Sequence, residues 1–282
     1  MDRTIYIVTG AAGHLGAHVV QALLAEGNEV RALILPGETC PAFVDVNRQF
    51  LREYPGNICD AHALDPLFQS DTHAEFIVIH CAGLISITAK RNHKVYDVNV
   101  CGTGNVLDAC KRHGAKRLVY VSSVHAIPLL PHGQTMQEIP AFDPASVTGD
   151  YAKTKAAATQ LVLEAARTGL DAVVVHPAGI IGPHGSPTGN MAHMFACFLR
   201  GRMPMAIRGG FDFVDVRDVA QGILSAARNG ASGKSYILSN RFIDLHELFD
   251  TLSEVAGEKR PRLYLPIWVA KAFAPVSELY YR

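Results

Sequence analysis

Short apolar runs alternate with amphipathic stretches along this chain of 282 residues. The apolar runs are rich in β-branched residues, which is typical of strands buried on both faces of a sheet. The spacing predicts strands at positions 4–9, 30–35, 50–54, 75–80, 117–121 and 171–175. It predicts helices at positions 17–26, 60–70, 92–113 and 149–168. This alternation favours an α/β fold with a doubly wound parallel sheet and right-handed crossovers.

The pattern becomes less regular after Pro177. A stretch rich in Gly and Pro occupies positions 182–187, and positions 202–210 fit a loop or a short strand. Helical spacing returns at 192–200, 215–229, 244–256 and 266–281, with one strand predicted at 235–238. We expect the irregular segments to form a smaller lobe over the carboxyl ends of the strands.

A glycine-rich loop between the first predicted strand and the first predicted helix indicates a phosphate-binding turn. Gly10 permits a tight turn, Gly13 lets backbone N–H groups approach a pyrophosphate, and Gly16 lets the helix pack closely on the sheet. The spacing is GxxGxxG rather than GxGxxG. The loop residues expected at a dinucleotide are Gly10, Ala12, Gly13, His14, Leu15 and Gly16.

Three further strands end in small or polar residues. Cys81, Ala82 and Gly83 follow the fourth strand, Ser122 and Ser123 the fifth, and His176 and Pro177 the sixth. Ligands of open parallel sheets bind at the carboxyl ends of the strands. These segments are therefore expected to lie beside the glycine loop.

The stretch 151–155, YAKTK, carries a candidate chemistry. Tyr151 and Lys155 are four residues apart and would share one face of a helix. Proton transfer by a phenol near neutral pH needs its pKa lowered by about three units from ~10. A neighbouring ammonium group acts in that direction, so Lys155 is predicted to lower the pKa of Tyr151.

The end of the second strand bears on cofactor choice. It reads Leu35-Pro36-Gly37-Glu38, without an arginine to balance a 2′-phosphate. NAD is therefore favoured over NADP, with Glu38 as a candidate ribose partner. Arg31, in the strand itself, is the one cation that could reverse this preference.

Composition excludes some classes of function. Lys plus Arg equals Asp plus Glu at 26 each, so no basic field would attract nucleic acid or an anionic membrane. The six cysteines lack framework spacing and are expected to be reduced. No signal peptide or membrane-spanning run is evident, and we expect a cytoplasmic location. His14 and His18 have the spacing of a zinc pair, but a packing role is favoured because no third ligand accompanies them.

Six motifs, in order, resemble the extended short-chain dehydrogenase/reductase family, of the NAD-dependent epimerase/dehydratase type, over essentially the whole chain. They are residues 9–16 (TGAAGHLG), 80–83 (HCAG), 99–103 (NVCGT), 121–123 (VSS), 151–155 (YAKTK) and 213–218 (FVDVRD). The resemblance implies a bound NAD(P)(H) and a catalytic trio of Ser123, Tyr151 and Lys155. It also implies a homodimer through the helices near 92–113 and 149–168.

The resemblance implies further cofactor contacts. They are Asn57, Ile58, Cys81, Ala82, Gly83, Asn99 and Pro177, together with Tyr151, Lys155 and the glycine loop. Residues 1–177 and about 212–239 would form the dinucleotide-binding Rossmann domain. Residues of about 178–211 and 240–282 would form the substrate-binding lobe.

The segment HPAGIIGP at 176–183 is more apolar than the corresponding run of sugar-nucleotide enzymes. It is closer to dihydroflavonol reductases and 3β-hydroxysteroid dehydrogenases. The resemblance therefore implies hydride transfer between nicotinamide and a carbonyl or secondary alcohol of a hydrophobic small molecule. The alternatives are a sugar-nucleotide epimerase or dehydratase, and a regulatory protein that senses NAD(P) without turnover.

Overall fold

The computed structural model describes residues 3–86, 92–131, 133–185, 189–266 and 268–269. The strands, in chain order, are β1 Arg3–Thr9, β2 Glu29–Ile34, β3 Leu51–Pro55, β4 Ala74–His80, β5 Arg117–Val121, β6 Ala172–Pro177, β7 Gly179–Ile181, β8 Met205–Ile207, β9 Gly210–Asp215, β10 Ser235–Leu238, β11 Arg241–Asp244 and β12 Leu263–Leu265. The α-helices are α1 His14–Ala25, α2 His93–Tyr96, α3 Thr103–Arg112, α4 Asp150–Arg167, α5 Asn190–Leu199, α6 Val216–Asn229 and α7 Leu245–Ala256. Most of the predicted helix at 266–281 lies outside the described residues.

The chain divides into two compact units. The larger unit comprises residues 1–178 and 216–238, and the smaller comprises 179–215 and 239–282. Strand β9 belongs to the smaller unit because it pairs with β7 and β11. The chain therefore returns to the larger unit at Val216, a few residues later than the position near 212 predicted from the sequence.

The larger unit is built on a seven-stranded sheet in the order β10-β6-β5-β4-β1-β2-β3. Every pair in this sheet is parallel, as the repeated strand–helix alternation predicts. The doubly wound α/β fold is therefore confirmed. The carboxyl ends of β1, β4, β5 and β6 share one edge of the sheet, and the candidate site residues follow these ends.

Helix α4 packs closely on this sheet through small residues. Ala152, Ala156 and Ala158 are buried in the same core cluster as Leu118 and Tyr120 of β5. Alanine has no side chain beyond Cβ, so the helix axis can approach the strands closely. This packing holds the first turns of α4, where Tyr151 and Lys155 stand, against the end of β5.

The predicted helix at 92–113 is not continuous. It begins as α2, passes through one π-helical turn, Asp97–Gly102, and continues as α3. A π-helical turn inserts an extra residue in the helical ladder, and apolar periodicity does not reveal it. Asn99 lies within this turn. The region predicted as a helix at 60–70 is a 3₁₀-helix, Ala61–Phe68, that contains Pro66.

The smaller unit contains two small sheets, β11-β9-β7 and β12-β8. Phe198, Ala206 and Phe249 form its buried core, with the two phenylalanine rings 5.4 Å apart. The apolar periodicity of the sequence did not predict β7, β9, β11 and β12. These strands have three to six residues, too few for alternation to be recognised against the surrounding glycines and prolines.

Within the described residues, none of the helices combines the length and the apolar character needed to cross a bilayer.

Candidate active site

The glycine loop closes tightly against the end of β4. Gly10 has φ +67°, and a Cβ there would lie 2.8 Å from the Cα of Ala82. A Cβ at Gly16 would collide with the carbonyl oxygen of Gly10. Gly13 N donates to Gly10 O at 3.0 Å, and Gly13 is the N-cap of α1. Gly10 thus has the backbone conformation expected of a tight turn, whereas Gly16 is required by its contact with the backbone of the loop itself.

This loop fits the pyrophosphate of a dinucleotide. Gly13 carries no side chain over the first N–H groups of α1, and a Cβ there would lie 3.2 Å from Gly10 O. Ala12, His14 and Leu15 complete the loop and the first residues of the helix. The positive end of the helix dipole and its free N–H groups favour an anionic group at this point.

A buried hydrogen-bond chain connects the glycine loop with the π-helical turn. Thr103 Oγ1 donates to Asn99 O at 2.7 Å, so it accepts from His80 Nε2 at 3.0 Å. His80 Nδ1 then accepts from Thr9 Oγ1 at 2.7 Å, and Thr9 Oγ1 accepts from Ala82 N at 3.3 Å. Burial lowers the pKa of His80 to about 3 and keeps its ring neutral. The chain fixes the ends of β1 and β4 to the turn that carries Asn99.

Asn99 holds the segment after β4 in place. Its Oδ1 accepts from Leu84 N at 2.7 Å, and its Nδ2 donates to Leu84 O at 3.0 Å and to Thr154 Oγ1 at 3.1 Å. A Cβ at Gly83 would lie 3.4 Å from Asn99 Oδ1 and 3.3 Å from Lys155 Nζ. The structure therefore brings Gly83, Asn99 and Lys155 together, and gives Asn99 a structural function through Leu84.

Lys155 is buried, and its ammonium group faces the end of β5. Nζ donates to Val121 O at 2.9 Å and to Tyr120 Oη at 3.4 Å, and lies 5.0 Å from the centre of the Tyr120 ring. Burial lowers the pKa of Lys155 to about 8. The group can therefore exchange a proton close to neutral pH.

Tyr151 stands in the first turn of α4, and its ring makes an edge contact with the His125 ring, with the ring centroids 6.1 Å apart. Burial raises the pKa of Tyr151 to about 12, and the smaller effect of Ser123 opposes it. The predicted lowering by Lys155 is therefore wrong for this structure. The reason is that the ammonium group is directed to Val121 O and Tyr120 Oη. Tyr151 is accordingly a protonated phenol at neutral pH.

The two serines after β5 have different environments. Ser122 Oγ shares a 2.7 Å hydrogen bond with Thr159 Oγ1 and is buried beneath α4. Ser123 Oγ accepts from His125 N at 3.2 Å at the start of a short 3₁₀ turn, and the ring of this His125 contacts the Tyr151 ring. Of the pair, Ser123 is therefore the one placed to act with the tyrosine.

Asn57 and Ile58 lie after β3 and contact α3. Asn57 Oδ1 accepts from Cys59 N at 2.9 Å, which fixes the turn. Asn105 Nδ2 donates to Ile58 O at 2.8 Å, and a Cβ at Gly102 would lie 2.7 Å from Ile58 Cδ1. Ile58 itself is buried in the core of the larger unit.

The segment at the end of β2, residues 35–38, has no cation, and the nearby Arg31 is directed elsewhere. Leu35 is exposed, and Leu35 N donates to Glu38 Oε2 at 3.4 Å. Arg31 is buried, and its Nη1 donates to Leu67 O at 2.7 Å and to Gln69 O at 2.6 Å. Since these carbonyl groups hold the guanidinium group inside the protein, Arg31 is not placed to bind a cofactor phosphate.

The remaining candidates have packing roles or lie at the strand ends. Cys81 N donates to Thr9 O at 3.2 Å, and Pro177 ends β6 beside Leu238 of β10.

The His14 and His18 rings are 5.4 Å apart in an edge contact, and His18 also contacts Phe43. In the described part of the chain, we find no group of three or more metal-ligating side chains that could hold an ion.

The supporting polar residues of the site were not predicted from the sequence. They are Thr9, His80, Thr103, Tyr120, Thr154 and Thr159, of which His80, Tyr120 and Thr159 are completely buried. Thr9, His80 and Thr103 fall inside recognised motifs, and their polarity within apolar runs was the available signal. Tyr120 and Thr159 carried no such signal, because each looks like an ordinary strand or helix residue.

Several proteins of known name are similar to this chain. Sterol demethylase protein B of Methylococcus capsulatus is 33% identical over 265 residues, which cover 92% of this chain and 77% of that protein. A Synechocystis protein provisionally named a dihydroflavonol 4-reductase is 32% identical over 287 residues, covering 97% of this chain and 78% of its own.

Solved structures share the fold. The crystal structure of gox2253 has a TM-score of 0.83 and 29% identity, over 98% of this chain and 82% of that one. The UDP-glucose 4-epimerase of Thermus thermophilus, solved in complex with NAD, has a TM-score of 0.77 and 24% identity, over 93% and 86% of the two chains. A family model described as the NAD-dependent epimerase/dehydratase family matches residues 6–239. The chain therefore belongs to the NAD-dependent epimerase/dehydratase family, the extended short-chain dehydrogenases/reductases.

Proposed function

We propose that this protein is a reductase that transfers a hydride between a nicotinamide cofactor and a carbonyl group of a hydrophobic small molecule. The observation that carries the proposal is the grouping of Ser123, Tyr151 and Lys155 at the carboxyl end of β5. Ser123 begins the turn after this strand, the Tyr151 ring contacts His125 of the same turn, and Lys155 Nζ donates to Val121 O. The same edge of the sheet holds the glycine loop and the Gly83–Asn99 contact.

When bound, a nicotinamide cofactor would supply a hydride for the carbonyl carbon. The Tyr151 hydroxyl gives its proton to the carbonyl oxygen, so the C=O double bond becomes an alcohol C–H and O–H. The Ser123 hydroxyl orients and polarises the carbonyl oxygen. Lys155, four residues after Tyr151, would hold the nicotinamide ribose and return a proton to the site.

The Tyr151 hydroxyl carries the proton that the proposed reduction step needs. Its pKa is raised to about 12 by burial, so the phenol carries a proton at neutral pH. A protonated phenol is a donor, whereas alcohol oxidation needs a phenolate as base.

NAD is the proposed cofactor. Residues 35–38, at the end of β2, include no cation that could balance a 2′-phosphate. The guanidinium group of Arg31 donates to Leu67 O and Gln69 O instead. Titration with NADH and NADPH, followed by nicotinamide fluorescence, tests this choice. Tighter binding of NADPH would contradict it.

A hydrophobic substrate is supported by three observations. Relatives include proteins named as acting on sterols, and the run 177–181 after β6 is apolar apart from its glycine. Within the smaller unit, Met205, Ile207, Phe211 and Phe242 are exposed. A panel of steroid, flavonoid and long-chain ketones, monitored by NADH absorbance, would identify the substrate class.

The Tyr151→Phe variant tests the catalytic assignment. It removes the proton donor and leaves the ring, so kcat should fall by about 10² to 10⁴ while NADH affinity is retained. Tyr236→Phe is the control, because the hydroxyl of Tyr236 accepts from Ala231 N, at 3.0 Å, and its loss should leave kcat unchanged. A Tyr151→Phe protein that keeps most of its turnover would refute the assignment.

The epimerase alternative predicts a different result. An epimerase or dehydratase returns its cofactor to the starting state, so NADH would not be consumed with any ketone. Conversion of a sugar nucleotide without net change in nicotinamide absorbance would favour that alternative. Cofactor binding without turnover of either substrate class would favour a sensor.

A further inference from the structure

The backbone pairing of β5 with β6 ends one bond early at the candidate site. Ser122 N donates to Val175 O at 2.8 Å. In a parallel ladder the next bond would run from the N–H of residue 177 back to Ser122 O. Residue 177 is proline, which has no N–H. The sheet therefore lacks a backbone donor just where the chain turns toward Ser123.

One residue further along, the side chain of His176 donates to a different carbonyl group, that of Ser123. Its Nδ1 lies 3.1 Å from the carbonyl oxygen of Ser123. A carbonyl group only accepts, so Nδ1 carries the proton and Nε2 is left as an acceptor. The residue is completely buried, and burial lowers its pKa to about 4, so the ring is neutral at neutral pH.

The Ser123 carbonyl oxygen thus has two donors. Ala126 N also donates to it, at 3.0 Å, and closes the 3₁₀ turn Val124–Ala126. The hydroxyl of Ser123 accepts from His125 N within the same turn. The 3₁₀ turn sets the direction of the Ser123 hydroxyl. The bond from His176 of β6 to the Ser123 carbonyl group therefore also fixes the Ser123 side chain relative to the sheet.

The imidazole ring of His176 is also held by stacking on an aromatic ring. It stacks on Phe142, with centroids 5.1 Å apart and planes at 22°. Phe142 N donates to Gln160 Oε1 at 3.2 Å, and Gln160 belongs to α4, the helix that carries Tyr151. His176 Nε2 has no hydrogen-bond partner among the described residues. Its bond to Ser123 is therefore the polar contact that gives this buried histidine its orientation.

We propose that His176 is a positioning residue, which holds Ser123 in the reactive arrangement by donating to its backbone carbonyl group. This inference rests on the proposed function, because it concerns the geometry of the carbonyl-binding serine. His176 would not contact the substrate or the cofactor.

Two substitutions separate the two ring nitrogens. The amide nitrogen of Asn can take the place of Nδ1, whereas Gln places its amide near Nε2. His176→Asn should keep kcat within about twofold, whereas His176→Gln should lower kcat about tenfold or more. KM and the Kd for NADH should change little in either variant. Circular dichroism and the thermal midpoint establish that both variants are folded.

A double-mutant cycle tests whether the effect passes through Ser123. If it does, His176→Gln should cause no further loss of kcat in a Ser123→Ala background. An undiminished loss in that background would overturn the proposal, because the histidine would then act elsewhere. The proposal would also be overturned if His176→Asn lowered kcat as much as His176→Gln does.

A measurement without turnover keeps this proposal distinct from the proposed function. In ¹H–¹⁵N spectra of the histidine rings, the signals missing from His176→Asn identify His176. A neutral ring protonated on Nδ1 at pH 7 is the expected result. A ring protonated on Nε2, or a charged ring, would overturn the proposal even for a protein that reduces no ketone.

Discussion

Burial sets the protonation state of several side chains beneath the candidate site. It lowers the pKa of His80 to about 3, that of His176 to about 4, and that of Lys155 to about 8. It raises the pKa of Tyr151 to about 12. In each case the low-polarity interior disfavours the charged form. The site therefore holds two neutral histidines, a phenol, and a lysine that titrates close to neutral pH.

The neutral state of His80 predicts a specific loss of stability in acid. The unfolded chain binds a proton at the His80 ring below pH ~6.5, while the folded protein does so only near pH 3. Stability is therefore present above pH 6.5 and lost as the pH falls. Between pH 7 and pH 5 the loss from this group is about 2 kcal/mol of unfolding free energy. His176 acts in the same direction.

The His80→Gln variant isolates this contribution. Guanidinium titrations at pH 7 and pH 5 give the free energy of unfolding at each pH. The decrease in this free energy from pH 7 to pH 5 should be about 2 kcal/mol smaller for His80→Gln than for the wild type. His73→Gln is the control, because His73 is exposed, and its loss should equal that of the wild type. An equal loss in His80→Gln and wild type would mean that His80 is not held neutral.

In the candidate site, the identity of the residues could be predicted from the sequence, but their pKa shifts and side-chain directions could not. Spacing identified Tyr151 and Lys155 as candidates and the family resemblance identified Ser123, and the structure brings the three residues to one strand end. The sign of the Tyr151 pKa shift was not predictable, since it depends on burial and on where the Lys155 ammonium group points. Arg31 was similarly ambiguous, because a cation in a strand can either face a ligand or bind buried carbonyl groups.

At the scale of elements, the glycine loop and the start of α1 depend on close backbone contact. A Cβ at Gly16 would collide with Gly10 O, whereas a Cβ at Gly104 in α3 would meet no atom within 4 Å. Gly16→Ala should therefore destabilise the protein by about 1–3 kcal/mol. It should also weaken NADH binding, because the phosphate-binding turn must open. Chemical denaturation and NADH fluorescence titration provide the two measurements.

Gly104→Ala is the matched control for this prediction. The position is helical and unobstructed, so alanine should leave NADH binding unchanged and increase stability by up to about 1 kcal/mol. A Gly16→Ala protein that binds NADH as tightly as wild type would show that this turn does not approach the cofactor.

Element prediction succeeded where the pattern was long. The seven predicted strands of the larger sheet, which include the one at 235–238, and helices α1 and α4 agree with the structure within a few residues. The π-helical turn Asp97–Gly102 was missed, because it keeps apolar residues on the buried face while changing the backbone hydrogen bonds. The short strands of the smaller unit were missed because tertiary pairing, rather than local preference, defines them.

At the scale of the whole molecule, we propose that two copies of the chain associate through the helices near 92–113 and 149–168. Leu161 of α4 is 41% exposed, and Lys153, Leu161 and Glu164 are exposed along one side of that helix. An exposed leucine on a helix with small neighbours, such as Ala157, suits close packing against a second helix. Light scattering should then give about twice the chain mass of 30.5 kDa.

The Leu161→Arg variant tests this association. An arginine at the centre of a helix–helix contact would bury a charge without a partner, so the dimer should dissociate to monomers. Leu129→Arg is the control, because Leu129 is 86% exposed in a loop and its substitution should leave the mass unchanged. A wild-type protein that is monomeric at micromolar concentration would contradict the proposal. Dissociation by Leu129→Arg as well would place the contact outside these helices.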